Sequence, residues 1–165
     1  MYLVQVGDGA RKIPFRHHTQ WQSPGHDNVQ QKMQSLIIRK NIMAKILIID
    51  DDIQTTKLLE GMVTLNGHQA TSVNSSNNAV EVAHTVSPDI ILLDIMMPGI
   101  NGIDLCKIFQ ATSELKHIPI IIVSALDDIG SKKDAFAAGA RDFLAKPVLP
   151  KVLAHKIDSL LSGAY

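Results

Sequence analysis

The stretch KILIIDDD, from Lys45 to Asp52, places four aliphatic residues directly before three carboxylates. The aliphatic run reads as a strand buried on both faces, because a half-buried strand would alternate with polar residues. The acids read as its exit. Adjacent like charges repel, and carboxylates taken out of water without partners cost several kcal/mol. A chain that ends a core strand this way needs something to compensate the charge.

Downstream, the same kind of run recurs as ATSV, DIILLD, IPIIIVSA and the shorter DFLAKP. Helical spacing fills the intervals. Leu58, Leu59, Met62 and Val63 form one stripe, and Ala79, Val80, Val82, Ala83 and Val86 a second. Ile103, Leu105, Cys106, Ile108 and Phe109 form a third, and Ala135, Phe136 and Ala138 a short fourth. Val152, Leu153, Ile157, Leu160 and Leu161 form the last. Breakers separate the elements at Asn66-Gly67, Ser87-Pro88, Pro98-Gly99, Gly139 and Pro147. This repeated strand–helix alternation predicts an α/β domain with a parallel sheet covered by helices on both faces.

In such a sheet, ligands bind beyond the carboxyl ends of the strands. The polar residues at those ends are Asp50, Asp51 and Asp52, then Asp94, then Ser124, then Lys146 before Pro147. The topology carries them to one edge. Clustered carboxylates become tolerable around a divalent cation, and an oxygen-rich, partly hydrated site suits Mg²⁺. The alternative is that the three acids cap the following helix, since Asp is a favoured N-cap. Asp52 is expected to do so. A cap needs one acid, however, and it explains neither Asp94 nor Lys146.

The first 43 residues differ in character. GDGARKIPFRHHTQWQSPGHDN shows no sustained period and is read as a poorly ordered tail. Val29, Met33, Leu36 and Ile37 have the spacing of a short amphipathic helix. Before Met43, six basic residues face two acidic ones in a chain whose 16 acidic and 16 basic residues balance overall. Met43 is an alternative start, so residues 1–43 are expected to be either a basic extension or a mis-start, and 44–165 the domain. The balanced charge gives no sign of a nucleic-acid partner. A single cysteine excludes an internal disulfide and suits a reducing compartment. No apolar run reaches the ~18 residues a membrane span needs. No secretory signal is recognisable at the start. A cytoplasmic location is the expectation.

Four motifs in order, ILIIDDD, PDIILLDIMMPGINGIDL, IPIIIVSAL and GARDFLAKP, resemble the receiver domain of two-component response regulators, of the stand-alone, CheY-like kind. The likeness covers the chain from about Ala44 onward. It implies a doubly wound sheet of five parallel strands in order 2-1-3-4-5, flanked by five helices. It implies that Asp94 accepts a phosphoryl group from a bacterial-type histidine kinase or a histidine phosphotransfer protein. It further implies Mg²⁺ held by Asp50, Asp51, Asp94 and the backbone carbonyl of Met96. Ser124 and Lys146 match the hydroxyl and ammonium that bind the phosphoryl group. Ser124 and Phe143 match the switch pair, and Lys146-Pro147 matches a cis bond.

By this resemblance the protein is a phosphoacceptor that controls a downstream effector protein. It would catalyse only its own phosphorylation and slow dephosphorylation. Seventeen residues follow Val148, room for one further helix, so a complete chain would be a stand-alone receiver with no direct DNA binding. Met96 and Leu126, apolar at positions flanking the site, are expected to hinder an attacking water.

Two rivals are weaker. A haloacid-dehalogenase-type phosphohydrolase would need D-x-D-x-T/V, and DDDIQ puts Gln54 at the last place. A receiver-like module that is never phosphorylated would not need the full set of acids, Ser124 and Lys146. Cys106 is read as a core thiol, Lys132-Lys133 as a solvated helix face, and none of the seven histidines as a metal ligand or relay histidine.

Overall fold

The structure is a computed structural model, which describes residues 43–163. The extension, its candidate helix and the alternative start all concern residues that lie wholly or almost wholly outside that range. Among the described residues, five strands alternate with five helices: β1 (Lys45–Ile49), α1 (Ile53–Leu65), β2 (Gln69–Val73), α2 (Ala79–Val86), β3 (Ile90–Leu93), α3 (Gly102–Ala111), β4 (Ile120–Ser124), α4 (Ile129–Ala137), β5 (Asp142–Ala145) and α5 (Pro150–Leu161). A 3₁₀ turn, Ser76–Asn78, precedes α2. The sheet is fully parallel in order β2-β1-β3-β4-β5. The expected doubly wound fold is therefore present.

Alternation within each strand assigns the two faces. Leu47, Ile49, Ile91, Leu93, Ile120 and Ile122 pack with Ala79 and Ala83 of α2, Leu105, Cys106 and Phe109 of α3, and Ala135 of α4. Ile46, Ile48, Ile90, Leu92, Ile121 and Val123 pack with Leu59, Met62 and Val63 of α1 and Leu153 and Ile157 of α5. Complete burial of β3 and β4, and of β1 beyond its exposed first residue Lys45, explains why their sequences do not alternate. Strand β2, at the edge, is half-buried and reads QATSV.

The apolar stripes are wider than the buried faces of their helices in places. Leu58, Ile108, Phe136 and Val152 stand exposed at the margins of their helices. Burial requires a position within the contact arc, and apolar spacing alone does not fix where that arc ends.

Capping follows the sequence. Asp52 is the N-cap of α1, its carboxylate accepting from Gln54 N–H at 2.9 Å. Asn101 and Asp128 cap α3 and α4, accepting from Asp104 N–H and Ser131 N–H. Pro150 opens α5, where its missing N–H costs nothing. Ser87 closes α2 in the left-handed region, with φ 49°. The Lys146–Pro147 peptide is cis, as the resemblance implies.

Candidate functional site

The parallel ladder delivers the site residues one by one. Asp50 N–H donates to the Val73 carbonyl at 3.2 Å, and Asp94 N–H donates to the Ile49 carbonyl at 2.9 Å. Asp94 is thereby held beside Asp50. Lys146 N–H donates to the Ser124 carbonyl at 2.8 Å, which fixes the base of the lysine at the other side. The side chains converge from there. Lys146 Nζ lies 2.7 Å from Asp50 Oδ2 and 3.0 Å from Asp94 Oδ1. Asp50, Asp51 and Asp94 each offer a carboxylate oxygen, all within 4.8 Å of one another.

Burial makes this cluster demanding. Asp50 is 2 % exposed, Asp94 4 % and Ser124 fully buried, whereas Asp51 is open to solvent. Desolvation pushes the Asp94 carboxyl above its ordinary pKa, against the opposing pull of the Lys146 ammonium. Burial works against the charged form of Lys146, but its bonds to Asp50 and Asp94 outweigh this and its pKa is raised. Three carboxylates thus face one ammonium, leaving about two negative charges uncompensated when all are ionised. A divalent cation would neutralise that excess, and the donor set is all oxygen, as Mg²⁺ requires.

Ser124 Oγ accepts from Leu126 N–H at 3.2 Å, so the hydroxyl oxygen is tied to the loop after β4. Phe143 is buried, with its ring beneath Lys132 Nζ at 5.6 Å from the centroid. Lys132 also pairs with Asp127 at 2.5 Å. The expectation that Lys132 merely belongs to a solvated face is therefore incomplete, because it touches the aromatic ring of β5. Met96 and Leu126 project apolar, partly exposed side chains from the loops after β3 and β4. Cys106 is buried in the core, and its thiol donates to the Ala138 carbonyl at 3.5 Å.

A chemotaxis protein, CheY4 of Vibrio cholerae, has a solved structure that superposes with a TM-score of 0.68 at 25 % identity, over 72 % of this chain and 99 % of that one. A family model, the response regulator receiver domain, matches residues 46–158. This chain belongs to that family. Protein PilH of Pseudomonas aeruginosa is 36 % identical to this receiver over 121 residues, covering 73 % of this chain and 100 % of PilH. Response regulator PleD of Caulobacter vibrioides is 35 % identical over 117 residues, covering 71 % of this chain and 26 % of PleD. The chain therefore spans about a quarter of that relative's length. Membership places the receiver in two-component phosphoacceptor signalling. Among the described residues, no helix is long and apolar enough to cross a membrane.

Sequence reading missed several supports of the site. Asn74 donates its amide to the Asp50 carbonyl at 2.8 Å and to Thr56 Oγ1 at 3.2 Å, tying the end of β2 to the first acid. Gly102 lies directly against the backbone of Asp94. Ser76 bonds the loop after β3. Neither Asn74 nor Ser76 belongs to a periodic or charged pattern, so no linear signal marks them. Gly102 sits inside a quoted motif, but only the packing shows why it lacks a side chain. A separate cleft, lined in part by Gln110, Lys116, His117 and Arg141, lies at the amino ends of β4 and β5, away from the carboxylates.

Proposed function

We propose that Asp94 is the phosphoacceptor of this receiver. Its donor would be a histidine kinase or a histidine phosphotransfer protein, and the reaction would depend on Mg²⁺. The observation that carries this reading is the single ammonium of Lys146 bridging the two buried carboxylates of Asp50 and Asp94. Asp50, Asp51, Asp94 and the Met96 carbonyl would hold the cation, which supplies charge neutralisation to the transferring group when bound. An Asp94 carboxylate oxygen attacks phosphorus, the bond from phosphorus to the donor imidazole nitrogen breaks, and the imidazole leaves with the electron pair. The product is an acyl phosphate. Lys146 pairs with a phosphoryl oxygen, and the Ser124 hydroxyl donates to another.

The new acceptor draws Ser124 away from Leu126 N–H, and Phe143 responds to the space this changes. The surface formed by the last strand and helices then shifts between two states, and an effector protein reads it. Control is exerted by protein contact. A cytoplasmic location fits a kinase partner of this type.

The test is the intact mass of the protein after incubation with a small phosphodonor. One added phosphoryl group is expected with Mg²⁺ on the wild type. None is expected without Mg²⁺ or with Asp94→Asn. A folded, Mg²⁺-binding wild type that gains no mass would refute the assignment.

A further inference from the structure

The Met96 carbonyl is the one proposed cation ligand supplied by the backbone of a loop. Asp50 and Asp94 follow directly from core strands, which fix them. The segment from Ile95 to Asn101 has no ladder to do this. Near the sheet it is closed by Gly102 N–H donating to the Ile95 carbonyl at 2.8 Å. At its far end Gly99 turns through φ +82°, and there a side chain from another element takes over.

That side chain is Ser76, 2 % exposed, in the 3₁₀ turn after β2. Its hydroxyl donates to the Pro98 carbonyl at 2.9 Å and accepts from Ile100 N–H at 3.1 Å. One oxygen thus holds the backbone on both sides of Gly99, across 22 and 24 residues of sequence. A Cβ on Gly99 would meet Ser76 Oγ at 3.3 Å, so the turn sits tightly against the hydroxyl. Ile95 and Met97, on either side of Met96, are buried in the core, so their packing and the two Ser76 bonds together set where the intervening peptide lies.

We infer that Ser76 is a positioning residue for the cation site. By clamping Pro98 and Ile100 it sets where the Met96 carbonyl lies relative to Asp50 and Asp94. It touches neither the cation nor the reacting atoms. The inference rests on the Mg²⁺ assignment made above. Removing the hydroxyl leaves the Pro98 carbonyl and Ile100 N–H without their partner, and the loop relaxes at the expense of the ligand geometry.

The experiment is a Mg²⁺ titration of the full chain followed by backbone amide shifts, with amide hydrogen exchange at Ile100 measured before the cation is added. Ser76→Ala is expected to speed Ile100 exchange and to weaken Mg²⁺ binding by about three- to tenfold, the size of one net hydrogen bond. Ser76→Thr keeps the hydroxyl and is expected to restore both. If Ser76→Ala is poorly folded, Ser76→Cys keeps a side chain of similar shape with a far weaker hydrogen-bonding group and is read in the same way. Fast Ile100 exchange with wild-type Mg²⁺ affinity would overturn the inference, since the clamp would then be structural only. A wild type that binds no Mg²⁺ would overturn the cation assignment itself, and the inference with it.

Discussion

Gly102→Ala should damage this receiver out of proportion to one methyl group. Gly102 is the first residue of α3, and a Cβ built there falls 1.9 Å from the Asp94 carbonyl oxygen and 2.8 Å from both the Asp94 carbonyl carbon and the Ile95 Cα. Ordinary contacts at that position are longer by more than roughly 1 Å. The obstacles are backbone atoms at the end of a central strand, so no rotamer change relieves the clash. Either α3 lifts away from the sheet or the end of β3 bends.

Overpacking of this kind costs about 1–3 kcal/mol, and the rigid neighbours favour the upper end. The function should suffer more, because a misplacement of about 1 Å at a reacting group costs on the order of a hundredfold in rate. The assay pairs urea unfolding with the rate of phosphorylation by a small phosphodonor. A control comes from Gly61, inside α1, where a Cβ meets nothing within 4 Å. Gly61→Ala should stabilise by about 0.5–1 kcal/mol through helix propensity and leave the rate unchanged. A Gly102→Ala protein with wild-type stability and a wild-type rate would refute the close-packing account of how α3 positions Asp94.

Other outcomes are expected. Burial pushes the Cys106 thiol up to about 11, so alkylation of the native protein at pH 8 should be far slower than that of the unfolded chain. The same shift has a sign for stability. As pH rises above the unfolded thiol's value of 9.0 toward about 11, only the unfolded chain loses the proton, so this contribution to stability falls. Urea midpoints at pH 8 and pH 10, compared between wild type and Cys106→Ala, isolate it. Leu126→Glu should shorten the lifetime of the acyl phosphate several-fold, measured by loss of the mass adduct, because it replaces an apolar screen with a group able to orient water. An unchanged lifetime would remove that role from Leu126. Lys132→Met takes the ammonium from above the Phe143 ring. A fluorine-labelled Phe143 should then report a changed ring environment before any phosphorylation, and an unchanged resonance would show that the cation does not hold the ring.

How much of this was legible beforehand depended on the kind of interaction. The placement of Asp50, Asp94, Ser124 and Lys146 at one edge was legible because parallel topology sends every strand's carboxyl end there, and each strand has a recognisable apolar body. The capping role of Asp52 was legible for a local reason: its partner is two residues away. Phe136 and Leu58 belong to apolar stripes yet stand exposed, because apolar character tells which residues are able to be buried, whereas the packing of neighbouring helices decides which are.

The sequence by itself determined the class of fold, the two-sided burial of the central strands and the set of polar residues that end them. These follow from periodicity and chain order, which are one-dimensional properties. Only the tertiary structure decided that Lys146 spans both Asp50 and Asp94, that Lys132 covers Phe143, that Gly102 leaves room for the Asp94 backbone, and that Ser76 grips the loop after β3. Each of these joins groups far apart in the chain across a few ångströms. Whether such groups meet depends on the combined twist, register and loop lengths of several elements, and no single stretch of sequence contains that information.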